Sequence, residues 1–181
     1  PDVIMIGEIR DRNTMKQAIA YAETGHLCLS TLHANNANQA MERVINFFPE
    51  EAHRQLLVDL SLNLAGVVSQ RLIPGLHEKL VPAVEVMLNS SYISDLITKG
   101  EFSGIKEAMA RSTEIGMCTF DQALYQLYTE DRISLDEALH NADSRTDLAL
   151  RVRLAAGVST QDVGDLSIDT SSPIQSAARL A

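Results

Sequence analysis

Short apolar bursts alternate with longer amphipathic stretches along the first fifty residues of this chain. Val3–Ile6 is four apolar residues, too short for a helix and rich in β-branched side chains, which predicts a buried strand. Residues 13–25 then place Met15, Ala18, Ile19 and Ala22 on one helical face, with Gly25 as terminator. The stretch HLCLSTLH, residues 26–33, predicts a second short strand. Residues 36–50 carry Ala37, Ala40, Met41, Val44 and Phe48 at helical spacing and stop before Pro49. Strand, helix, strand, helix is the order of a parallel sheet with helices packed on it.

A further helix is expected with Leu56, Leu60 and Leu64 on one side, ending near residues 68–71. LVPAVEVML then alternates, with Val84, Val86 and Leu88 on one face and Ala83, Glu85 and Met87 on the other. That predicts a strand with one partly solvated face and Pro82 near its start. From Ser90 the pattern changes to short helices. Thr119 with Gln122, and Ser134 with Glu137, fit the capping-box spacing at helix starts. The expected organisation is an α/β portion over residues 1–89, a small all-helical lobe over 90–154, and a mobile tail over 155–181, where apolar periodicity is lost. No internal repeat is found.

Bulk properties narrow the chemistry. With 45% hydrophobic and 22% charged residues in 181, the chain can bury a core of ordinary size. A net charge of −9 argues against a sequence-independent grip on nucleic acid or anionic lipid. Cys28 and Cys118 lie far apart with no CxxC pair, so neither a zinc knuckle nor a disulfide framework is indicated. No apolar run approaches the ~20 residues that span a bilayer, so membrane association would go through a partner.

Candidate chemistry gathers at the strand ends. In an open parallel sheet, ligands sit beyond the carboxyl ends of the strands. Glu8 follows the first strand, and Thr31 and His33 close the second. A carboxylate in the place of Glu8 can polarise an attacking water or hold magnesium; it can equally form a surface ion pair with Arg10. His26 and His33 bracket one strand and, at ~3.3 Å per residue, lie roughly 23 Å apart, too far to share a metal. His33 can sense phosphate or orient Glu8, and His26 is expected to meet a neighbouring element or subunit. His53, His77 and His140 read as surface residues, and Cys28 and Cys118 as core packing. A phosphate-cradling GxxxxGK[ST] loop is absent: none of Lys16, Lys79, Lys99 and Lys106 follows a glycine.

DVIMIGEIRDRNTM followed by ETGHLCLSTLHANNANQAMERVINFFP resembles the Walker B region and His box of type IV pilus and type II secretion ATPases. Within them it is most similar to the twitching-motility retraction motors of the PilT/PilU group, over residues 1–154. The resemblance implies a RecA-like nucleotide-binding core, a homohexameric ring, and ATP hydrolysis with Mg2+ that drives pilus depolymerisation. It implies partners in a related retraction ATPase and an inner-membrane platform protein, and a cytoplasmic location peripheral to that membrane. By position, Glu8 matches the Walker B glutamate, the family's general base, and Gly7 the glycine that replaces the Walker B aspartate. Arg10 and Asp11 match the RD that follows; His26 and His33 match the two histidines of the His box, with Thr31 at the strand end.

Two details refine the resemblance, the first towards retraction motors and the second towards the PilU branch. Gln70-Arg71-Leu72 runs into Ile73-Pro74-Gly75 without the four-cysteine loop usual in secretion and pilus-extension motors. The retraction-type AIRNLIRE helix stands here as YISDLITK, which keeps Ile93, Leu96 and Ile97 but has Ser94 and Lys99 at charged positions. The Walker A loop and Asp box of the family would precede Pro1. The expectation is therefore a C-terminal portion of a longer motor, inactive by itself. Two alternatives remain: a non-catalytic assembly module that docks to a partner motor or platform protein, and an extension or type II secretion ATPase.

Overall fold

The computed structural model describes residues 1–155. Strand β1 (Val3–Ile6) and strand β2 (Leu27–Ser30) pair in parallel, with Val3 opposite Leu27 and Ile6 opposite Ser30. Helix α1 (Arg12–Glu23) joins them and packs Met15 and Ala18 inward. Its end comes where expected, at Thr24 followed by Gly25, whose φ of +89° suits a residue without a side chain. Helix α2 (Ala37–Asn46) starts at Asn36, whose side chain accepts from the Gln39 N–H at 2.9 Å, and buries Ala37, Ala40, Met41 and Val44.

Helix α3 (Glu50–Asn63) buries Leu56 and Leu60 but stops before the expected point. Leu64 is already extended, and residues 66–74 are a strand, β3 (Gly66–Pro74), where the leucine spacing predicts helix as far as residues 68–71. The deciding interaction is tertiary: β3 runs antiparallel to β4 (Leu80–Leu88) through nine residue pairs, from Gly66 with Leu88 to Pro74 with Leu80. Close approach at the start of this hairpin requires glycine, because a Cβ on Gly66 would lie 2.6 Å from the Met87 carbonyl oxygen. The parallel arrangement is thus confined to β1 and β2, and the second sheet is an antiparallel hairpin.

Helix α4 (Ser91–Lys99) buries Ile93, Leu96 and Ile97 on one face, as the spacing predicts. It is followed by α5 (Ile105–Ala110), α6 (Phe120–Thr129), α7 (Leu135–Asn141) and α8 (Arg145–Ala155). Thr119 and Gln122 form the complete capping box at the start of α6, and Ser134 Oγ accepts from the Glu137 N–H at 3.2 Å at the start of α7. Ala155, expected in the tail, is the last residue of α8; the remaining tail residues lie outside the described part.

Two hydrophobic clusters hold these elements. The first joins Ile9, Met15, Met41, Val44, Leu56 and Leu60 to Ile93, Ile97, Ile105 and Met109. The second joins Phe120, Leu124, Ile133, Ala138 and Leu148. The β3–β4 hairpin belongs to both, giving Met87 to the first and Ile73, Val81 and Ala83 to the second. Ile4, Ile6 and Cys28 turn one face of the β1–β2 pair inward, while Val3, Met5, Leu27 and Leu29 leave an apolar outer face 48–76% exposed. Among the described residues no helix is long and apolar enough to cross a membrane.

Candidate functional site

The carboxyl ends of β1 and β2 are locked together by one residue. Thr31 Oγ1 donates to the Gly7 carbonyl, and the Thr31 carbonyl accepts from the Ile9 N–H at 2.9 Å. These two bonds grip the backbone on either side of Glu8 and carry the strand pairing one step beyond the ladder. Ile9 buries its side chain in the first core cluster, so the neighbouring Glu8 side chain is directed to the sheet edge. A Cβ on Gly7 would meet no atom within 4 Å outside its chain neighbours, so the position before Glu8 is open.

At this edge the structure brings together Glu8, Arg10, Thr31 and His33. Arg10 Nε donates to Glu8 Oε2 at 2.6 Å, and its terminal nitrogen lies 2.5 Å from the same oxygen. His33 Nε2 lies 3.0 Å from the other oxygen, Oε1. The Glu8 side chain is 19% exposed, against 76% for Arg10 and 78% for His33, so two solvent-facing groups cover a half-buried carboxylate. The hydrogen bond from Arg10 and the nearby positive charges of Arg10, His33 and Arg43 hold the Glu8 carboxyl below the ordinary carboxylate range, against the opposing pull of desolvation. Glu8 is therefore an anion at neutral pH.

Asp11 serves a different purpose. It caps α1, accepting from the Thr14 N–H at 2.9 Å and the Thr14 hydroxyl at 3.1 Å, and these bonds lower its pKa. His26 stays at the far end of β2, with Nδ1 3.0 Å from Thr24 Oγ1 and 3.2 Å from the Tyr21 carbonyl oxygen. Its neighbour is the end of α1. His53 departs from the surface reading: it is half-buried, with Nε2 2.9 Å from the Phe48 carbonyl oxygen. The apolar strand context of Cys28 raises its thiol pKa through desolvation.

Sequence patterns did not single out two residues of the hairpin that reach toward this edge. Arg71 contacts the Asn35 carbonyl, two residues beyond His33, and Glu85 accepts from the Ala37 N–H at 2.8 Å. The available signal was a carboxylate inside an apolar strand, on the same face as Ala83 and Met87.

These residues do not make a protein-held metal centre. Among the described residues no group of three or more His, Cys, Asp or Glu side chains converges. Both oxygens of Glu8 are engaged, Oε2 by Arg10 and Oε1 by His33, and the Asp11 carboxylate is committed to its helix.

Comparison with known proteins identifies the family. Residues 1–150 match the family model described as type II/IV secretion system protein. The chain is 59% identical over 157 residues to the type IV pilus ATPase PilU of Pseudomonas aeruginosa, covering 86% of this chain and 41% of that protein. It is 35% identical over 142 residues to the pilus retraction ATPase PilT of the same organism, covering 78% of this chain and 41% of that one. The crystal structure of the pilus retraction motor PilT with bound ADP superimposes with a TM-score of 0.75 at 34% identity, covering 83% of this chain and 42% of PilT. The chain thus spans about two-fifths of the length of the relatives it matches. It carries part of the RecA-like α/β fold of these motors, and it belongs to the type II/IV secretion system protein family, as a homologue of PilU and PilT.

Proposed function

We propose that this chain is the C-terminal part of a hexameric ATPase motor that powers type IV pilus retraction. In this reading residues 1–89 complete the nucleotide-binding core and residues 90–154 form a helical lobe. The motor works in the cytoplasm, against the inner-membrane platform protein and beside a related retraction ATPase. The observation that carries the reading is the contact between Glu8 and His33 at the carboxyl ends of two parallel strands. The likeness to PilU and PilT supports the same assignment.

The roles follow from the charges. The depressed pKa of Glu8 makes it a weak proton acceptor but a permanent anion. Its task is to orient the attacking water in line with the γ-phosphate, where positioning rather than covalent chemistry sets the rate. Arg10 and His33 neutralise Glu8 until an anionic phosphate competes for them; their transfer to phosphate frees the carboxylate for water. Thr31 keeps the backbone around Glu8 in register, Asp11 fixes the helix that follows, and His26 ties the far end of β2 to α1. The phosphates and their magnesium are held by a P-loop outside these 181 residues, so the chain alone does not turn over ATP. Complementation of a retraction-defective strain tests the assignment. The intact protein restores twitching and its Glu8→Gln variant does not. Equal rescue by both would refute the role of Glu8.

A further inference from the structure

The loop between His33 and α2 is held from two sides by side chains of the β3–β4 hairpin, one of which also reaches the helical lobe. Arg71 projects from the buried face of β3, its side chain 22% exposed and its guanidinium 3.9 Å from the centre of the Phe120 ring. One terminal nitrogen donates to the Asn141 carbonyl at 2.8 Å. The other is shared between the Asp143 carboxylate at 2.7 Å and the Asn35 carbonyl at 3.2 Å. A single guanidinium thus spans the end of α7, the turn into α8 and the loop that carries His33. Only a planar fork with several donors can make these contacts together; a lysine in its place reaches one of them.

Glu85 supplies the second bolt from β4. Its residue is 3% exposed, and the carboxylate accepts from the first N–H of α2 at Ala37, 2.8 Å away. The N-terminus of the helix that follows His33 is therefore seated on one buried side chain. Burial pushes its carboxyl pKa up, and the Ala37 N–H pulls against it. Lys106 completes the surroundings, 2.7 Å from Asp121 and 3.6 Å from Asp143, and Asp121 accepts in turn from the Asp143 N–H at 2.8 Å.

We propose that Arg71 and Glu85 are positioning residues that fasten the loop over residues 33–37 to the β3–β4 hairpin and, through Arg71, to the helical lobe, so that the packing of the lobe sets where His33 stands relative to Glu8. The kinetic part of this inference rests on the ATPase reading; the structural part does not. A partner that loads the lobe would act on the hydrolytic edge through these two side chains, without touching nucleotide.

The test compares the intact protein with its Arg71→Lys variant and with an Arg132→Ala control, which breaks an exposed ion pair to Glu78 at the hairpin tip. Two readouts are taken: steady-state ATP turnover, and amide exchange of the peptide over residues 33–41. Losing the fork is expected to raise exchange there, and to lower kcat, by about tenfold each, the worth of one charge-assisted hydrogen bond, with KM for ATP changed less than about twofold. Arg132→Ala changes neither. Exchange unaltered by Arg71→Lys, or altered equally by Arg132→Ala, would overturn the proposal. Faster exchange with an unchanged kcat in an active enzyme would overturn its kinetic part. If the unaltered protein shows no ATP turnover, the functional reading fails and the exchange comparison still decides the positioning role.

Discussion

His33 Nε2 lies 3.0 Å from Glu8 Oε1 across the ends of two parallel strands, although the two residues are 25 positions apart in the chain. The contact exists because Thr31 bonds the backbone on both sides of Glu8, leaving the following turn to bring His33 over the carboxylate. Glu8 is thereby placed by hydrogen bonds to the backbone of its two neighbours, whereas Arg10 and His33 reach it from the solvent side.

If Glu8 orients water, its replacement by glutamine in the intact protein should lower ATP turnover by about 10²–10⁴-fold, the usual worth of a positioned acid–base group. Nucleotide affinity should change little, because neither oxygen is predicted to hold phosphate. Parallel measurement of turnover and of binding of a fluorescent ATP analogue separates these effects. A matching loss of affinity would move Glu8 from water positioning to nucleotide binding.

The acid side of the stability profile should report Glu8 and Asp11. Both carboxyls are depressed in the folded protein, Glu8 by Arg10 and Asp11 by the Thr14 N–H. Their contribution is therefore complete above the ordinary carboxylate range near about 4 and is lost as pH falls through the lower folded values. Thermal melts between about pH 5 and pH 2 should show a shallower fall in Tm for a Glu8→Gln, Asp11→Asn double variant than for the unaltered chain. Parallel slopes would contradict the assigned shifts.

Thr119 is 2% exposed and caps α6 through a reciprocal capping box. Thr119→Ala should cost about 1 kcal/mol by urea unfolding, while Thr119→Ser should recover most of that. Equal loss in both variants would place the effect in packing rather than in the cap.

Phe120, fully buried at the start of the same helix, lies in the second cluster under Arg71. Phe120→Ala should destabilise the protein by about 3–5 kcal/mol, whereas Phe120→Leu should lose much less. Chemical denaturation of the two variants checks the ordering.

Elements that bury apolar residues on a regular face were legible in the sequence. α1, α2 and α4 follow their patterns; β1 and β2 form where expected, but β1 is not the buried strand predicted, since Val3 and Met5 are exposed; and Glu8, Arg10, Thr31 and His33 stand together at the edge that strand order predicts. β4 coincides with the strand its alternation predicts, whereas β3 hid because polar and apolar residues share both of its faces. β3 turns Ser69 and Arg71 inward and leaves Val68 and Leu72 outside at 72% and 54% exposure, and β4 buries Glu85 between Ala83 and Met87. Their polar side chains are satisfied by loops and helix ends far along the chain, which periodicity does not reveal. The leucine spacing of α3 then continued unopposed into residues that only their pairing with β4 makes a strand.

Steady-state ATP turnover by the intact protein, measured beside its Glu8→Gln variant and the 181-residue chain alone, tests the central claim most directly. The account predicts turnover in the intact protein, its loss in the variant, and none in the isolated chain. Turnover that survives Glu8→Gln, or hydrolysis by the 181 residues alone, would contradict it.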